Sequence, residues 1–370
     1  MPTERVMVGM SGGVDSSVCA VLLKEQGYQT TGVTLRLYDG EETETEWNFT
    51  KTCCSLRDVE DAKAVCHRLG IEHHTFGFKE EFEEQVIREF VEVYRQGGTP
   101  NPCITCNRRI KFGSMLLRAK TLGFDYIATG HYANIRRSAG GRFELCRAAD
   151  PAKDQTYVLY GLTQEQLAHT LFPLGGLTKQ QVRELAAQYG FINAKKPDSQ
   201  DICFVPDGDY ASFIERFTKT AAPEGDFVGE NGERLGRHRG LIRYTIGQRK
   251  GLGIALGEPA FVLRKNVSDN TVVLGKEEKL FSRYVWVEGV NWVSVEQPGQ
   301  DLAVTAKLRY SQKEQPARLI PLDHDHVLLE FEQPQRAPSP GQAAVFYQGD
   351  TVVGGGTILK GSDHHDADFS

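Results

Sequence analysis

Residues 9–17 read G-M-S-G-G-V-D-S-S, and the stretch sits where a strand hands over to a helix. Before it, R-V-M-V-G-M at 5–10 is a short apolar run that stops at glycines. After it, Ser16 to Gln26 carries apolar residues at 18, 21 and 22 and predicts a helix with serines near its start. Glycines in such a turn let backbone N–H groups face inward, and the helix N-terminus adds partial positive charge. Ser11, Ser16 and Ser17 supply hydroxyls, so the loop is a cradle for phosphates. No Lys-Ser/Thr follows the glycines, which excludes a Walker A loop. G-x-G-x-x-G is absent, which excludes the dinucleotide fingerprint. Asp15 is a candidate either for a magnesium ion or for holding the loop itself.

Outward from this loop, strand and helix signals alternate. Strands are expected at 30–38, 71–76 and 124–132. Helices are expected at 56–70 (closed by Gly70), Phe82 to Tyr94, Ile110 to Leu122 and Thr178 to Tyr189. Strands separated by helices predict an α/β domain with a parallel sheet covered on both faces. After about residue 205 the texture changes. Leu235 to Lys276, and again Tyr284 to Lys360, read as short strands and glycine turns with no clear helix, which suggests a small barrel or sandwich. The last residues, G-S-D-H-H-D-A-D-F-S, are a frayed polar tail.

The 370 residues are 40% hydrophobic and 25% charged, a globular composition sufficient for two or three cores. No run of 18 or more apolar residues predicts a membrane span, and no signal or transit segment is recognisable, so a cytoplasmic protein is expected. The net charge of −6 does not point to nucleic acid. Yet Arg234 to Lys250 and Asn107 to Lys120 contain no acidic residue, and such local patches can make an electrostatic footprint.

Eight cysteines in a cytosolic chain do not suggest a disulfide framework. Cys19, Cys66 and Cys146 fall in helix-like or strand-like segments and read as small buried hydrophobes. Cys53 and Cys54 lie in a polar loop without an assigned role. Cys103 and Cys106 form a C-x-x-C in N-P-C-I-T-C-N-R-R-I-K-F, 101–112, next to Arg108, Arg109 and Lys111. Nearby cations favour a thiolate, and a helix beginning near Asn107 would put Cys106 beside a positive helix end. Zinc is disfavoured because no second such pair exists. Cys203 stands alone in K-P-D-S-Q-D-I-C-F, where a structural cysteine is the simpler reading of that segment by itself.

The loop S-G-G-V-D-S resembles the pyrophosphate loop of the ATP pyrophosphatases, which transfer AMP to a substrate oxygen. Together with T-P-N-P-C-I-T-C-N-R-R-I-K-F-G, A-T-G-H-Y-A, K-D-Q-T-Y-V-L-Y, D-S-Q-D-I-C-F, Y-T-I-G-Q-R-K-G-L-G-I and R-Y-S-Q, the chain resembles the tRNA-specific 2-thiouridylases. These motifs run in the family's order from residue 9 to 312. The resemblance implies a parallel-sheet ATP-pyrophosphatase (adenine nucleotide alpha-hydrolase-like) domain at 1–205. It further implies a central β-rich tRNA-contacting domain at 206–280, a C-terminal β-barrel at 281–362 and the tail at 363–370.

It implies ATP with Mg2+ bound by Gly9, Met10, Ser11, Gly12, Gly13, Val14, Asp15 and Ser16, with Leu35 and Gly130 also approaching the nucleotide. Asn101, Pro102 and Cys103 would line the target base, which must be swung out of its stack to be reached. His131, Lys153, Asp154, Gln155, Arg309, Tyr310 and Gln342 would contact tRNA. Cys106 would be the nucleophile and Cys203 the persulfide carrier, ending each turnover as a disulfide.

The implied activity is 2-thiolation of the wobble uridine in tRNAs for Lys, Glu and Gln. Its partners would be the tRNA and a persulfide donor, a cysteine desulfurase or a sulfur relay protein, and the state a monomer. Some members carry Asp where Cys103 stands, and three potentially converging thiols leave open a [4Fe-4S] cluster held by Cys103, Cys106 and Cys203. Two other readings compete. An amidotransferase or another adenylating ligase uses the same loop but leaves the cysteines idle, and a non-catalytic RNA-binding module leaves the loop idle.

Overall fold

The computed structural model describes residues 4–38, 56–194, 196, 202–255 and 257–365. Cys53, Cys54 and the end of the tail fall outside them. In chain order the first elements are β1 (Arg5–Gly9), α1 (Val14–Glu25), β2 (Gln29–Arg36), α2 (Leu56–Leu69) and β3 (His73–Gly77). A helical run follows as α3 (Lys79–Phe82), a π-helical segment Glu83–Ile87 and α4 (Arg88–Arg95). A second run is α5 (Pro102–Thr105), a π-helical segment Cys106–Ser114 and α6 (Met115–Thr121). Then come β4 (Tyr126–Ala128), β5 (Asn134–Arg137), β6 (Phe143–Cys146), α7 (Thr156–Leu159), α8 (Gln164–Ala168), β7 (Thr170–Leu171) and α9 (Lys179–Gln188).

Contacts divide the chain into two units, neither continuous in sequence. The first comprises 1–87, 102–208 and 349–352, and the second 88–101, 209–348 and 353–370. In the first unit β1, β2, β3, β4 and β7 form a parallel sheet in the order β3-β2-β1-β4-β7. Strand order reverses between β1 and β4, and in such sheets a ligand crevice opens there, beyond the carboxyl ends of the strands. The loop after β1 lies at that point.

Local chemistry sets the helix limits. α2 ends at Gly70, whose φ of +64° is the left-handed stop that only glycine adopts without strain. α9 starts with a capping box, Thr178 and Gln181 each bonding the other's backbone. Val6, Val8, Val18, Val21, Leu23 and Val65 are all but fully buried between sheet and helices. Each such side chain contributes about 1.5–3 kcal/mol.

In the second unit, α10 (Tyr210–Thr218) precedes a small sheet of β8 (Gly225–Val228), β9 (Arg234–His238), β10 (Phe261–Asn266) and β11 (Thr271–Gly275), ordered β10-β11-β8-β9. Its core is built on Phe227, Tyr244, Val262 and Leu274. The last strands are β12 (Phe281–Trp292), β13 (Leu302–Lys307), β14 (Gln315–Pro321), β15 (Val327–Arg336), β16 (Ala343–Gln348) and β17 (Thr351–Ser362). They run in the order β12-β15-β14-β13-β16-β17, and pairing of β12 with β17 closes the barrel. Leu319, Leu329, Phe331 and Phe346 fill it. The architecture is therefore a parallel-sheet α/β domain followed by two β-rich modules, the last a small barrel. Among the described residues no helix is long and apolar enough to cross a membrane.

Two expectations change. α10 was not read from the sequence, although Asp209 caps it and Phe213, Ile214 and Phe217 mark an apolar side. The helix expected at Ile110 begins instead at Pro102, a residue suited to the first helical position because it lacks an N–H to satisfy. Cys106 thus lies one turn inside a helical run rather than ahead of it.

Candidate active site

The loop after β1 is folded on its own hydroxyls. Ser16 Oγ donates to the Gly13 carbonyl at 3.0 Å and accepts from the Ser11 N–H at 3.2 Å. Gly12 turns with φ +70°, and a side chain there would collide with the backbone of Asp58. Among the described residues no side chain caps the start of α1, whose N-cap is Gly13. The first N–H groups of that helix are therefore left to whatever occupies the crevice, an arrangement suited to phosphate. Gly130, in the turn after β4, approaches closely too. A Cβ there would stand 2.7 Å from Asp15 C and 2.8 Å from Ser16 N. Leu35, half-buried, lies near the carboxyl end of β2, opposite Phe76 of β3. Loop, Leu35 and Gly130 thus share the carboxyl edge of the sheet. Met10 and Val14 are buried and serve packing, with Met10 held to β2 through Val33 O at 2.8 Å.

Residues far along the chain hold the loop from behind, and the sequence reading missed them. Lys179 Nζ donates to both oxygens of Asp15, at 2.8 and 2.9 Å, and Tyr132 OH donates to Oδ1 at 2.8 Å. Asp15 is thereby engaged as a brace of the loop. Asn193 Nδ2 reaches Gly12 O and Ser17 Oγ, each at 3.0 Å. Lys196 Nζ spans Gly12 O at 3.2 Å, Asp58 at 2.6 Å and Asp61 at 2.8 Å. Burial opposes its charge, but the hydrogen bonds to the two carboxylates outweigh that and raise its pKa. Neither Lys179 nor Asn193 lies in any of the motifs quoted above.

Cys103, in α5, is exposed, Cys106 is buried at the head of the π-helical segment and Cys203 is half-buried, all three as thiols. The backbone of Cys203 is tied to the carboxyl edge of the sheet, since Tyr38, two residues beyond β2, donates its hydroxyl to Cys203 O at 3.1 Å. Phe204 packs edge-on against Phe82 of α3 with centroids 5.7 Å apart. α3 in turn packs against the π-helical segment that opens with Cys106. Within that segment Asn107 is buried and donates to Val158 O at 3.0 Å, while its own Oδ1 has no partner among the described residues.

Arg108 and Arg109 are exposed, and the charge of Lys111 is felt at His131. Burial, with a smaller push from Lys111, holds the His131 pKa well below the usual range, so the ring is neutral at pH 7. It packs against Phe112 and Phe172, and its Nδ1 lies 2.7 Å from Thr129 Oγ1. Among the described residues no group of three or more His, Cys, Asp or Glu is placed to hold a metal ion. The cluster considered for Cys103, Cys106 and Cys203 is thus without support.

The remaining sequence candidates sort by exposure. Asp154 is buried and braces its turn, accepting from Ala148 N at 3.0 Å and Thr156 Oγ1 at 2.6 Å. Gln155 and Tyr132 exchange hydrogen bonds, with Tyr132 N donating to Gln155 Oε1 and Gln155 N to Tyr132 O, both at 2.9 Å. Lys153, half-buried, lines an open groove of about 540 Å³ with Lys179 and Arg183. In the second unit Asn101 is half-buried, Arg309 donates to Ala337 O at 2.6 Å, and Tyr310 is 45% exposed. Gln342 Nε2 donates to Thr99 O at 2.6 Å. Pro102 is buried at the start of α5 in the first unit.

Comparison with known proteins decides the family. Residues 4–207 match the model of the tRNA methyl transferase HUP domain, 211–276 that of the tRNA methyl transferase PRC-barrel domain, and 282–358 that of the aminomethyltransferase beta-barrel domain. A protein of Lachnoclostridium phytofermentans, "tRNA-specific 2-thiouridylase MnmA", is 51% identical over 96% of this chain and 100% of its own. Its namesakes in Acetivibrio thermocellus and Clostridioides difficile are 50% and 48% identical, over 97% and 96% of this chain and 100% and 98% of theirs. The chain belongs to the tRNA-specific 2-thiouridylase family. As a 2-thiouridylase-family chain it has a first domain of the HUP type, and the loop after β1 lies within it.

Proposed function

We propose that the protein is an ATP-dependent tRNA-uridine 2-sulfurtransferase, acting on the wobble uridine of tRNAs for Lys, Glu and Gln. One observation carries this beyond family membership. The same unit holds the phosphate loop at the carboxyl edge of the sheet and, tied to that edge through Tyr38, the segment of Cys203. An adenylating ligase would have no use for that second feature, and a binding module none for the first.

In this reading ATP lies on the loop from Gly9 to Ser16, with Leu35 and Gly130 beside it. Uridine O2 attacks the α-phosphorus and pyrophosphate leaves, so C2 now carries a bond to a good leaving group. Asn101, Pro102 and Cys103 face the extruded base. Cys203 arrives as a persulfide, loaded by a cysteine desulfurase or relay protein. The Cys106 thiolate attacks the inner sulfur, forming a Cys106–Cys203 disulfide and releasing hydrosulfide. Hydrosulfide adds to C2, AMP departs with the O2 oxygen, and a proton is lost as the C=S bond forms. Alternatively the terminal sulfur attacks C2 first and Cys106 then frees it. A thiol reductant reopens the disulfide. His131, Lys153, Asp154, Gln155, Arg309, Tyr310 and Gln342 are the tRNA contacts in this scheme, the protein works as a monomer, and domain limits follow 1–205, 206–280 and 281–362, with the tail at 363–370.

The test uses unmodified tRNA, ATP and a persulfide source with wild type, Cys106→Ser and Cys203→Ser. Wild type should release pyrophosphate only when tRNA is present. Both variants should keep that release while losing 2-thiouridine by at least about a hundredfold, as for loss of a covalent catalyst. Normal thiolation by Cys203→Ser would sink the assignment. Pyrophosphate release indifferent to tRNA would favour the ligase.

A further inference from the structure

Lys265, on β10, is a half-buried lysine that the scheme above does not use. Its ammonium donates to Tyr244 O at 2.9 Å and to Gly98 O at 3.4 Å. Among the described residues no carboxylate pairs with it, and burial pushes its pKa down to about 8. A partly desolvated cation whose printed partners are two carbonyls is a costly way to fill space, since an apolar side chain would pack there without that cost. What it holds is a turn. Gly97 has φ +81°, and a Cβ on it would stand 3.1 Å from Val267, the residue that follows β10. At Gly98 a Cβ would stand 2.7 Å from Val93 Cγ1 and 3.2 Å from Pro340 O. Thr99 N donates to Pro340 O at 2.8 Å, and Thr99 O accepts from Gln342 Nε2 at 2.6 Å. The peptide units Gly98–Thr99 and Thr99–Pro100 are thus held by the central sheet on one side and by the segment leading into β16 on the other. The chain leaving this turn runs through Pro100 into Asn101, Pro102 and Cys103.

We propose that Lys265 is a positioning residue for sulfur transfer, fixing the Gly97–Thr99 turn and through it the segment that faces the target base. This rests on the reading under Proposed function. Placing a reactive group even about 1 Å off its productive position costs on the order of a hundredfold in rate. Affinity for tRNA, by contrast, comes mostly from phosphate contacts elsewhere. Loss of Lys265 should therefore fall on kcat and spare KM.

The test compares wild type, Lys265→Met and Lys265→Arg, the last keeping a charge and two donors. Rates are normalised to the fraction of enzyme that binds ATP, so that misfolded protein does not count. Lys265→Met should lose about tenfold or more in kcat for 2-thiouridine formation, with KM for tRNA and ATP within about threefold of wild type. Lys265→Arg should recover most of the loss. Hydrogen exchange over 96–106 should rise in Lys265→Met and not over 126–133. An unchanged kcat, a loss confined to KM for tRNA, or unchanged exchange at the turn overturns the proposal. If Lys265→Met does not fold, wild-type-like exchange with a tenfold kcat loss in Lys265→Arg overturns it as well. Exchange reads the turn whatever the reaction, so a wild type that never thiolates tRNA refutes the function and leaves the turn to be judged by exchange.

Discussion

Both carboxylate oxygens of Asp15 are taken by Lys179, and one of them also by Tyr132. The side chain is a strut between the first turn of α1 and the start of α9. Lys179→Met removes the counter-charge and leaves a partly enclosed carboxylate beside the loop after β1. We expect the dissociation constant for ATP, measured by calorimetry, to rise by about tenfold or more, because like charge then faces the triphosphate. An unaltered constant would show that the strut is dispensable. The thiols make a second test at this scale. Burial, helped by Asp15, raises the Cys19 pKa far out of the physiological range, and burial pushes Cys66 up to about 12. Iodoacetamide at pH 8 with peptide mass spectrometry should alkylate exposed Cys103 early and leave Cys19 and Cys66 unmodified until the protein unfolds. Early labelling of Cys19 would contradict its burial. Asp15 was visible in its motif, but Lys179 and Asn193 were not. They stand more than 160 positions away, and the need of one carboxylate or carbonyl for a donor leaves no periodic trace in sequence.

Elements were legible where one local rule settled them. β1, α1 and β2 follow from an apolar run, a glycine turn and a second apolar run, and Gly70 announces the end of α2. The helix holding Cys106 was misread because N-P-C-I-T-C looks like a loop until Pro102 is taken as the first helical residue. α10 was overlooked among glycine-rich neighbours. β5 and β6 were also passed over, being only four residues each and bridged to the far end of the chain through Cys146 and Thr351. The turn after β4 gives the prediction at this scale. Gly130→Ala puts a methyl group 2.7 Å from Asp15 C and 2.8 Å from Ser16 N, both backbone atoms that cannot swing aside. Either the start of α1 or the turn must move, and with it the N–H groups aimed at phosphate. ATP binding should weaken by about a hundredfold while the melting temperature falls only by a few degrees, since overpacking costs about 1–3 kcal/mol. Calorimetric ATP affinity equal to wild type would mean that the loop tolerates the displacement.

At the scale of the molecule, the texture change near residue 205 separates sheet types but not the units that contacts define. The stretch 88–101 belongs with the second unit, where Phe90 packs edge-on against Tyr210 and Phe213, and Tyr94 stacks on Tyr210 at 6.2 Å. The stretch 349–352 belongs with the first, where Arg136 reaches Asp350 at 3.2 Å and Thr351 at 2.7 Å, and Arg147 N donates to Asp350 O at 2.8 Å. Composition cannot reveal such an exchange, because each stretch is too short to shift any average. Cutting the chain after residue 208 should therefore not yield an independent catalytic domain. The fragment would lose the partners of Phe90 and Tyr94, exposing two large aromatic faces, and β6 would lose its bridge at Thr351. Exposed apolar area of that size promotes association. The 1–208 fragment should elute as aggregate in size-exclusion chromatography and bind ATP at least about tenfold more weakly than the full chain, as the turn at 97–99 would also be released. A monodisperse fragment with full ATP affinity would show that the first unit stands without its borrowed strand, and that the two exchanged stretches only join the units.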